Sequence, residues 1–369
     1  MKVLYIANYK DGTGWGNSAL SNILALDSAG VEVIPRAISF NDKNVPVPSR
    51  IKSLEEKSSS GADVCIQHTL PSYYSYNSKL KNICFYVTET NQFNDSLWAK
   101  SINIMDEAWV PNTQMITASQ KSGVTIPVKM APLCIDINEY QDIPKTASVG
   151  ELEGMFNFCF EGDFIHRKNI EALLRAFHTE FHPSEPVNLF FKLSKHGCSS
   201  DECLGLFHDF SSHVKNSLKV RASYKKEVVI SGFLEKSHLL SVMNQCHCFV
   251  MPSYGEAWCI PALEAMAVGM PVIYTGGTGM DDFCVGYKIS AHDSPCYKGT
   301  ESLPNIYTAE SKWREVDVSH LSQLMRTAYE TYNNDKSEFE SLQNAAKKRA
   351  AEYDLKRVGS QLKEILYGS

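Results

Sequence analysis

Short apolar runs alternate with amphipathic stretches along the N-terminal part of the chain. The first run covers residues 2–8, and apolar positions at helical spacing then continue to Gly30, which ends the pattern. Another apolar run at 31–38 completes a β-α-β opening, which requires parallel strands joined by a helical crossover. The remaining strands of this sheet are predicted at 62–68, 82–89, 106–112 and 128–136. The pattern therefore predicts one doubly wound α/β domain.

The same alternation restarts after residues 141–154, a segment with Pro, Gly and Ser but no hydrophobic period, which we interpret as a linker. From Val316 to the end, the chain is predicted to be helical in several pieces. Strands are predicted at 155–164, 187–194, 226–234, 246–253 and 270–276, with helices at 167–181, 237–245 and 261–269. The sequence thus predicts a second doubly wound domain.

Composition agrees with two globular domains, since 369 residues are 43% hydrophobic and 21% charged. The N-terminal apolar stretch is too short for a signal peptide, and no apolar run is long enough to span a bilayer. We therefore expect a cytoplasmic protein. The eleven cysteines are an odd number and many lie inside apolar runs, which is typical of reduced thiols rather than of a disulfide framework.

The net charge of −6 does not favour a polyanionic partner for the molecule as a whole. One local exception is the segment 213–226, which has several cations and no acid. The segment is compatible with a solvated helix face and its following loop, or with a nucleic-acid contact. Its cations are Lys215, Lys219, Arg221, Lys225 and Lys226.

Ligands of open α/β sheets bind beyond the carboxyl ends of the strands, where backbone amides and helix N-termini face them. Glu256 follows one predicted strand, and Glu264 lies in the helix after it. Such acids can accept hydrogen bonds from a sugar and from a ribose diol, although their spacing alone also fits solvated glutamates. The segments at predicted strand ends are 9–17, 68–72, 88–90, residue 112, 162–168, 231–234 and 253–261.

Residues 252–273 resemble the signature of the family-four retaining glycosyltransferases of the GT-B fold. The similarity extends to 161–177 and 228–253, and segments 106–136 and 313–330 are similar to one subgroup of these enzymes. The matching signature residues are Pro252, Ser253, Glu256, Pro261, Leu263, Glu264, Ala265, Met266, Ala267, Gly269, Pro271, Val272 and Ile273.

The resemblance implies two Rossmann-like doubly wound domains that face a central cleft, with C-terminal helices packed back on the N-terminal domain. The expected boundaries are 1–145 for an acceptor-binding domain and 146–350 for a donor-binding domain. Residues 351–369 are expected to form a helix that crosses back to the first domain.

The resemblance also implies roles for individual residues. Glu256 would contact the donor sugar, and Arg167 and Lys168 would neutralise the leaving diphosphate. Cations at a helix start conflict with the helix dipole, and a bound phosphate would remove that conflict. The other expected donor contacts are Gly14, Gly16, Gly162, Gly232, Phe233, Ala257, Trp258, Cys259, Ile260 and Glu264. The expected acceptor contacts are Trp15, Asn17 and His68.

Three departures from the family pattern affect these expectations. Asp163 follows Gly162 where many relatives have an arginine, so the diphosphate charge rests on Arg167 and Lys168. Residues 88–90 lack the histidine that many relatives have, and Glu89 or His68 is expected near the reacting sugar, with Glu89 favoured. Residues 257–259 read Ala-Trp-Cys where Gly-Phe-Gly is usual, which leaves the identity of the donor open.

The implied function is transfer, with retention, of a sugar from a UDP- or GDP-linked donor to the hydroxyl of a glycan or surface-polysaccharide precursor. Two alternatives remain at this point. One is transfer to a hydroxylated base in DNA, with the 213–226 cations on phosphates, and the other is a non-catalytic protein that binds sugar nucleotides or glycans. No cofactor and no metal site are expected, and a lipid-linked acceptor and the oligomeric state stay open.

Overall fold

The computed structural model describes residues 1–40, 44–143, 145–296, 303 and 305–368. Pro144 of the expected linker and Ser369 of the expected last helix lie outside the described residues. The chain forms two compact units. The first contains residues 1–136, 295–312 and 352–369, and the second contains residues 137–294 and 313–351.

The helices and strands are numbered here in chain order. The strands are β1 Lys2–Ala7, β2 Glu32–Ala37, β3 Val64–His68, β4 Lys81–Phe85, β5 Glu107–Val110, β6 Val128–Met130, β7 Phe156–Asp163, β8 Val187–Ser194, β9 Val228–Ser231, β10 Cys248–Met251, β11 Val272–Thr275, β12 Gly286–Ile289, β13 Ala291–Pro295 and β14 Lys312–Val316. The helices are α1 Gly14–Ser28, α2 Ser49–Glu55, α3 Trp98–Ile102, α4 Thr113–Lys121, α5 Ile170–Glu180, α6 Ser200–Leu218, α7 Lys236–Met243, α8 Ile260–Val268, α9 Val318–Asn334, α10 Lys336–Ala350 and α11 Leu355–Tyr367.

The first unit has a parallel sheet of six strands in the order β2-β1-β3-β4-β5-β6. Its central strands are apolar because helices cover parallel sheets on both faces, and Val3, Ile66 and Ile83 are buried. The strand order reverses between β1 and β3. Doubly wound sheets bind their ligands at such a reversal, which directs attention to the ends of these two strands.

The second unit has a parallel sheet in the order β12-β11-β10-β7-β8-β9. Numbered within the unit, this is the 3-2-1-4-5-6 order of dinucleotide-binding folds. Its reversal point lies between β7 and β10. The core on one side of the sheet is aromatic, with Phe158, Phe177, Phe191 and Phe207 all buried. The two sheets confirm the predicted pair of Rossmann-like doubly wound folds.

The last three helices lie in two different units. Helix α9 packs on α5 and α10 packs on α8, both inside the second unit, whereas α11 packs on α1 in the first unit. Gly359 permits this close approach, since a Cβ there would lie 2.1 Å from the carbonyl oxygen of Ala25. Helix α11 therefore lies in the first unit, within the segment 351–369 that was expected to return there, and α9 and α10 lie in the second unit.

Residues 295–312 also lie in the first unit, although the sequence pattern places them in the second domain. The backbone amide of Asn91 donates to the carbonyl oxygen of Lys312 at 2.9 Å. The Tyr307 hydroxyl donates to Oε2 of Glu89 at 2.5 Å. Because these bonds join positions far apart in the chain, hydrophobic periodicity does not reveal them.

Candidate functional site

The reversal point of the second sheet brings two segments together. After β7, a short 3₁₀ turn covers His166–Lys168, and after β10 the chain runs through Ser253 to Glu256. The carbonyl oxygen of Arg167 accepts hydrogen bonds from the Tyr254 amide at 2.8 Å and the Ser253 hydroxyl at 3.0 Å. These backbone contacts fix the position of the basic turn relative to Glu256.

Glu256 is 5% exposed and pairs with both cations of the basic turn. Its Oε1 lies 2.8 Å from Nζ of Lys168 and 3.2 Å from Nη1 of Arg167. Burial by itself would raise the pKa of Glu256, but the positive charges of Lys168 and Arg167 outweigh burial and lower it. The structure thus places a buried, ionised carboxylate directly against two cations at the ligand-binding edge of the sheet.

Gly162 supports this arrangement from the end of β7. A Cβ at this position would lie 3.4 Å from Cε of Lys168, so residue 162 packs directly beside the lysine side chain. Asp163, which follows Gly162, accepts a hydrogen bond from the Ser194 hydroxyl of β8. The Asp163 carboxylate is therefore hydrogen-bonded to the end of β8.

The segment 257–260 leads from Glu256 into α8. Cys259 has a φ of 79° at the N-cap position, a left-handed conformation that is strained for residues other than glycine. Trp258 is buried and stacks on Phe283 at 4.7 Å between ring centroids. Ala257 is also buried, and Ile260 begins α8. The departure from glycine at 259 therefore keeps the backbone shape that a glycine would adopt most readily.

Glu264 lies on α8 and is held by two partners that the sequence does not indicate. Its Oε1 accepts hydrogen bonds from the Tyr140 hydroxyl at 2.6 Å and from the Lys236 ammonium. Burial lowers the pKa of Lys236, but the charge of Glu264 outweighs this and raises it. Burial and the nearby Glu264 raise the pKa of Tyr140. Two hydrogen-bond donors therefore orient the candidate ribose acid in the structure.

Gly232 and Phe233 follow the edge strand β9. Gly232 has a φ of 92°, and a Cβ there would lie 2.0 Å from the Ser200 hydroxyl oxygen, so the turn requires glycine. The turn leaves the Phe233 ring 84% exposed. An exposed aromatic ring beside a strand end suits stacking on a planar base.

In the first unit, hydrogen bonds stabilise the glycine-rich loop, residues 11–17, which connects β1 to α1. Oδ1 of Asp11 accepts from the amide and hydroxyl of Thr13 at 2.8 and 2.7 Å, and the Thr13 hydroxyl caps α1 through the Gly16 amide. A Cβ at Gly16 would lie 2.3 Å from Oδ1 of Asp11, whereas nothing lies within 4 Å of one at Gly14. A side chain at Gly16 would therefore clash with the loop, whereas one at Gly14 would not.

His68 ends β3 and is fully buried. Its Nδ1 lies 2.7 Å from the Tyr5 hydroxyl and its Nε2 lies 3.3 Å from the Ser18 hydroxyl. The imidazole packs between Trp15 and Phe85, with centroids at 4.4 and 4.0 Å. Burial lowers the pKa of His68 to about 3, so the ring is neutral at physiological pH. These contacts place His68 in the core of the first unit, whereas Asn17 of α1 is exposed.

Two polar residues lie at the reversal point of the first sheet: Thr69, which belongs to the strand-end segment 68–72, and Asn8, which the sequence reasoning missed. Asn8 and Thr69 directly follow the paired strand ends Ala7 and His68. Oδ1 of Asn8, Oγ1 of Thr69 and Nε1 of Trp15 are buried without a hydrogen-bond partner among the described residues. Native proteins satisfy nearly all such atoms, so these three are candidates for contacts to a bound hydroxyl compound. The available signal was that Asn8 ends the first predicted strand and that Thr69 directly follows the predicted strand 62–68.

Glu89 lies between Thr88 and Thr90 after β4, and the two threonine hydroxyls are 2.8 Å apart. The Glu89 side chain is half-buried and accepts from the Tyr307 hydroxyl. The structure therefore puts Glu89 beyond the carboxyl end of β4.

The basic segment 213–226 is partly committed to internal contacts. Lys215 pairs with the buried Glu227 at 2.8 Å, Arg221 donates to the Thr179 carbonyl at 2.8 Å, and Lys225 donates to the Val187 carbonyl at 2.7 Å. Lys219 and Lys226 remain exposed. Three of the five cations in this segment therefore make contacts within the second unit.

Other features lie apart from these strand ends. A cavity of ≈ 360 Å³ opens near the start of β7, lined in part by Phe156, His247 and Tyr332, at the opposite end of the strand from the basic turn. Across the residues that the structure describes, no group of three or more His, Cys, Asp or Glu is arranged to hold a metal ion. In the same ranges, no helix has the length and apolar character needed to cross a bilayer.

Solved structures with the same fold belong to the GT-B class. Anabaena Alr3699/HepE in complex with UDP aligns with a TM-score of 0.67 at 13% identity, covering 100% of both chains. Sucrose-phosphate synthase from Thermosynechococcus elongatus aligns with a TM-score of 0.64 at 14% identity, covering 100% of this chain and 98% of the other. The fold of this chain is GT-B.

The family model for glycosyl transferases group 1 matches residues 213–288, which include Glu256 and Glu264. The serotype-specific mannosyltransferase WbdA of Escherichia coli is 25% identical over 172 residues, 44% of this chain and 19% of the relative. This chain thus matches about a fifth of the length of the curated relatives. Residues 213–288 are thus similar to group 1 glycosyltransferases, and the chain has the fold of the GT-B structures.

Proposed function

We propose that this protein transfers a sugar from a nucleoside-diphosphate sugar to an acceptor hydroxyl, with retention of configuration at the anomeric carbon. The observation that carries the proposal is the buried cluster of Glu256, Lys168 and Arg167 at the reversal point of the second sheet. A diphosphate gains negative charge as it leaves, and cations fixed in a buried site stabilise that charge. The same cations keep Glu256 ionised to accept hydrogen bonds from sugar hydroxyls.

Nucleotide and sugar are proposed to occupy neighbouring parts of this edge. Glu264 on α8 would bind the ribose diol, and Phe233 would stack on the base. Lys168 and Arg167 would bind the diphosphate, which removes the conflict between two cations and a helix start. No cofactor or metal takes part in the proposed reaction, and the leaving diphosphate itself helps to accept the proton of the attacking hydroxyl.

The proposed acceptor is a glycan or surface-polysaccharide precursor. The WbdA relatives are named serotype-specific mannosyltransferases, which supports a polysaccharide acceptor and makes a mannosyl donor one member of the panel to test. The UDP in HepE supports testing UDP-linked sugars as well. A DNA acceptor has less support, because Lys215, Arg221 and Lys225 are engaged in contacts within the fold.

The experiment is incubation with UDP-hexoses and GDP-mannose, each with a panel of oligosaccharides, lipid-linked sugars and hydroxymethylated DNA. We expect release of free UDP or GDP together with an acceptor that is heavier by one sugar, detected by mass spectrometry. NMR of the product should show the anomeric configuration of the donor. Donor binding without release or transfer would instead identify a non-catalytic binding protein, and an inverted product would refute the retaining mechanism.

A further inference from the structure

Glu161 interrupts the apolar pattern of β7 one residue before Gly162, at the same strand end that leads to the basic turn. Its Cα pairs with that of Lys192 on β8. Oε2 of Glu161 is buried and has no hydrogen-bond partner among the described residues. A buried carboxyl oxygen without a partner is costly, so its retention at a strand end calls for a ligand.

The charged surroundings of Glu161 are those of the proposed nucleotide site. Glu264, the candidate ribose acid, acts on Glu161 electrostatically, and so does Lys168, the candidate diphosphate cation. Glu161 therefore lies among the groups assigned to the two ends of the nucleotide. The titratable and charged groups that act on Glu161, or on which it acts, are Glu264, Lys192, Lys236, Lys168, Tyr140 and Cys159.

We propose that the carboxyl group of Glu161 makes a direct hydrogen bond to the nucleoside diphosphate of the donor. This assignment rests on the proposed function and adds a specificity-determining residue to it. The terminal torsion of a glutamate side chain is broad and two-fold, so either oxygen can turn toward a bound ligand. The ligand supplies the partner that Oε2 lacks in the described fold.

The protonation state of Glu161 decides what kind of bond it makes. Burial, followed by the negative charge of Glu264, raises its pKa to about 7, against the opposing effect of Lys192, Lys236 and Lys168. Below that pH, Glu161 is a neutral acid whose O–H donates to a phosphate or ribose oxygen. Above it, the carboxylate repels the diphosphate. Donor binding should therefore weaken as the pH rises through 7.

The test is calorimetric titration of UDP-glucose and of GDP-mannose into the wild-type protein, Glu161→Gln and Glu161→Leu at pH 6 and pH 8. If only the protonated form binds, the wild-type Kd rises about tenfold between these pH values. Glu161→Gln is neutral at both, so its Kd should stay within about threefold of the wild-type value at pH 6. Glu161→Leu should bind about tenfold more weakly at pH 6, because it has no hydrogen-bonding group.

Glu171→Gln is the matched control, because Glu171 is exposed on α5 and pairs with Arg175 at the surface. The Kd of Glu171→Gln for the donor should change with pH as the wild-type Kd does. If Glu161→Gln also keeps that dependence, or Glu161→Leu binds as tightly as the wild type, the role of Glu161 is refuted while the proposed function stands. If the wild-type protein binds neither donor at either pH, that result overturns the proposed function and this inference with it.

Discussion

Lys168 and Glu256 form a buried ion pair in which Nζ lies 2.8 Å from Oε1 and the two side chains are 11% and 6% exposed. Removing one member of such a pair leaves an uncompensated charge in a low dielectric, which costs more than the pair itself contributes. A double-mutant cycle can therefore measure the interaction energy between Lys168 and Glu256.

Lys168→Met should destabilise the protein by about 3 kcal/mol, because Glu256 then keeps only Arg167 as a charged partner. The double variant Lys168→Met/Glu256→Gln should recover part of that loss, since no unpaired carboxylate remains. Denaturant unfolding of the wild type, both single variants and the double variant gives the coupling energy. Strictly additive effects would show that the two charges do not interact as the structure places them.

Glu264→Gln should raise the Kd for UDP or GDP by about tenfold or more, because a ribose diol bonds more strongly to a carboxylate than to an amide. Tyr140→Phe should change that Kd by less than about threefold, since Lys236 still orients Glu264. Calorimetric titration distinguishes the two effects. Weaker binding by the Tyr140 variant with normal binding by the Glu264 variant would assign the ribose contact to Tyr140 instead.

Gly16→Ala should lower the thermal stability of the protein, because its Cβ would lie 2.3 Å from Oδ1 of Asp11 and 2.8 Å from the Asn8 carbonyl oxygen. Overpacking of this kind typically costs about 1–3 kcal/mol. Gly14→Ala is the matched control, since its Cβ meets no atom within 4 Å, and it should be neutral or slightly stabilising in α1. Equal shifts in Tm for both variants, measured by calorimetry, would contradict the loop geometry.

Glu227 gives a pH-dependent contribution to stability. Burial would raise the pKa of Glu227, but hydrogen bonds and charge from His178 and Lys215 lower it to about 2. The ordinary pKa of a glutamate is ~4.3. The contribution is therefore complete above about pH 5 and is lost as the pH falls toward 2. Glu227→Gln should reduce the free energy of unfolding at pH 7 by roughly 2–3 kcal/mol.

The difference between Glu227→Gln and the wild type should shrink when unfolding is measured at pH 5, 4 and 3. Glu171→Gln serves as the control, because an exposed i,i+4 pair contributes only a few tenths of a kcal/mol at any pH. A loss for Glu227→Gln that is the same at pH 7 and pH 3 would rule out the ionised Glu227 as its cause.

Hydrophobic patterning was sufficient to predict the six strands of the first sheet and five of the six strands of the second. The run at 187–194 coincides with β8, and the run at 155–164 differs from β7 by one residue at each end. These strands are buried on both faces, so nearly every position is apolar and the signal is strong. Helix α6 and strands β12 to β14 were not predicted, because their sequences mix polar and apolar residues without a clear period.

Side-chain partners were harder to predict than elements. The sequence places His68 at a strand end, but its bonds to Tyr5 and Ser18 put it in the core. Tyr140 and Lys236 meet Glu264 through the fold, at separations that no local pattern encodes. Strand-end position thus indicates the edge where ligands bind, whereas only packing decides which polar side chains face that edge.

The most direct test of the central claim compares sugar transfer by the wild type and Glu256→Gln, with donor affinity and folding measured on the same preparations. Glutamine keeps the shape of the side chain but removes the charge that Lys168 and Arg167 balance. The account predicts that transfer falls by about a hundredfold or more, while the variant stays folded and its donor Kd changes by only a few fold. Transfer within about twofold of the wild type by a folded Glu256→Gln protein would contradict it.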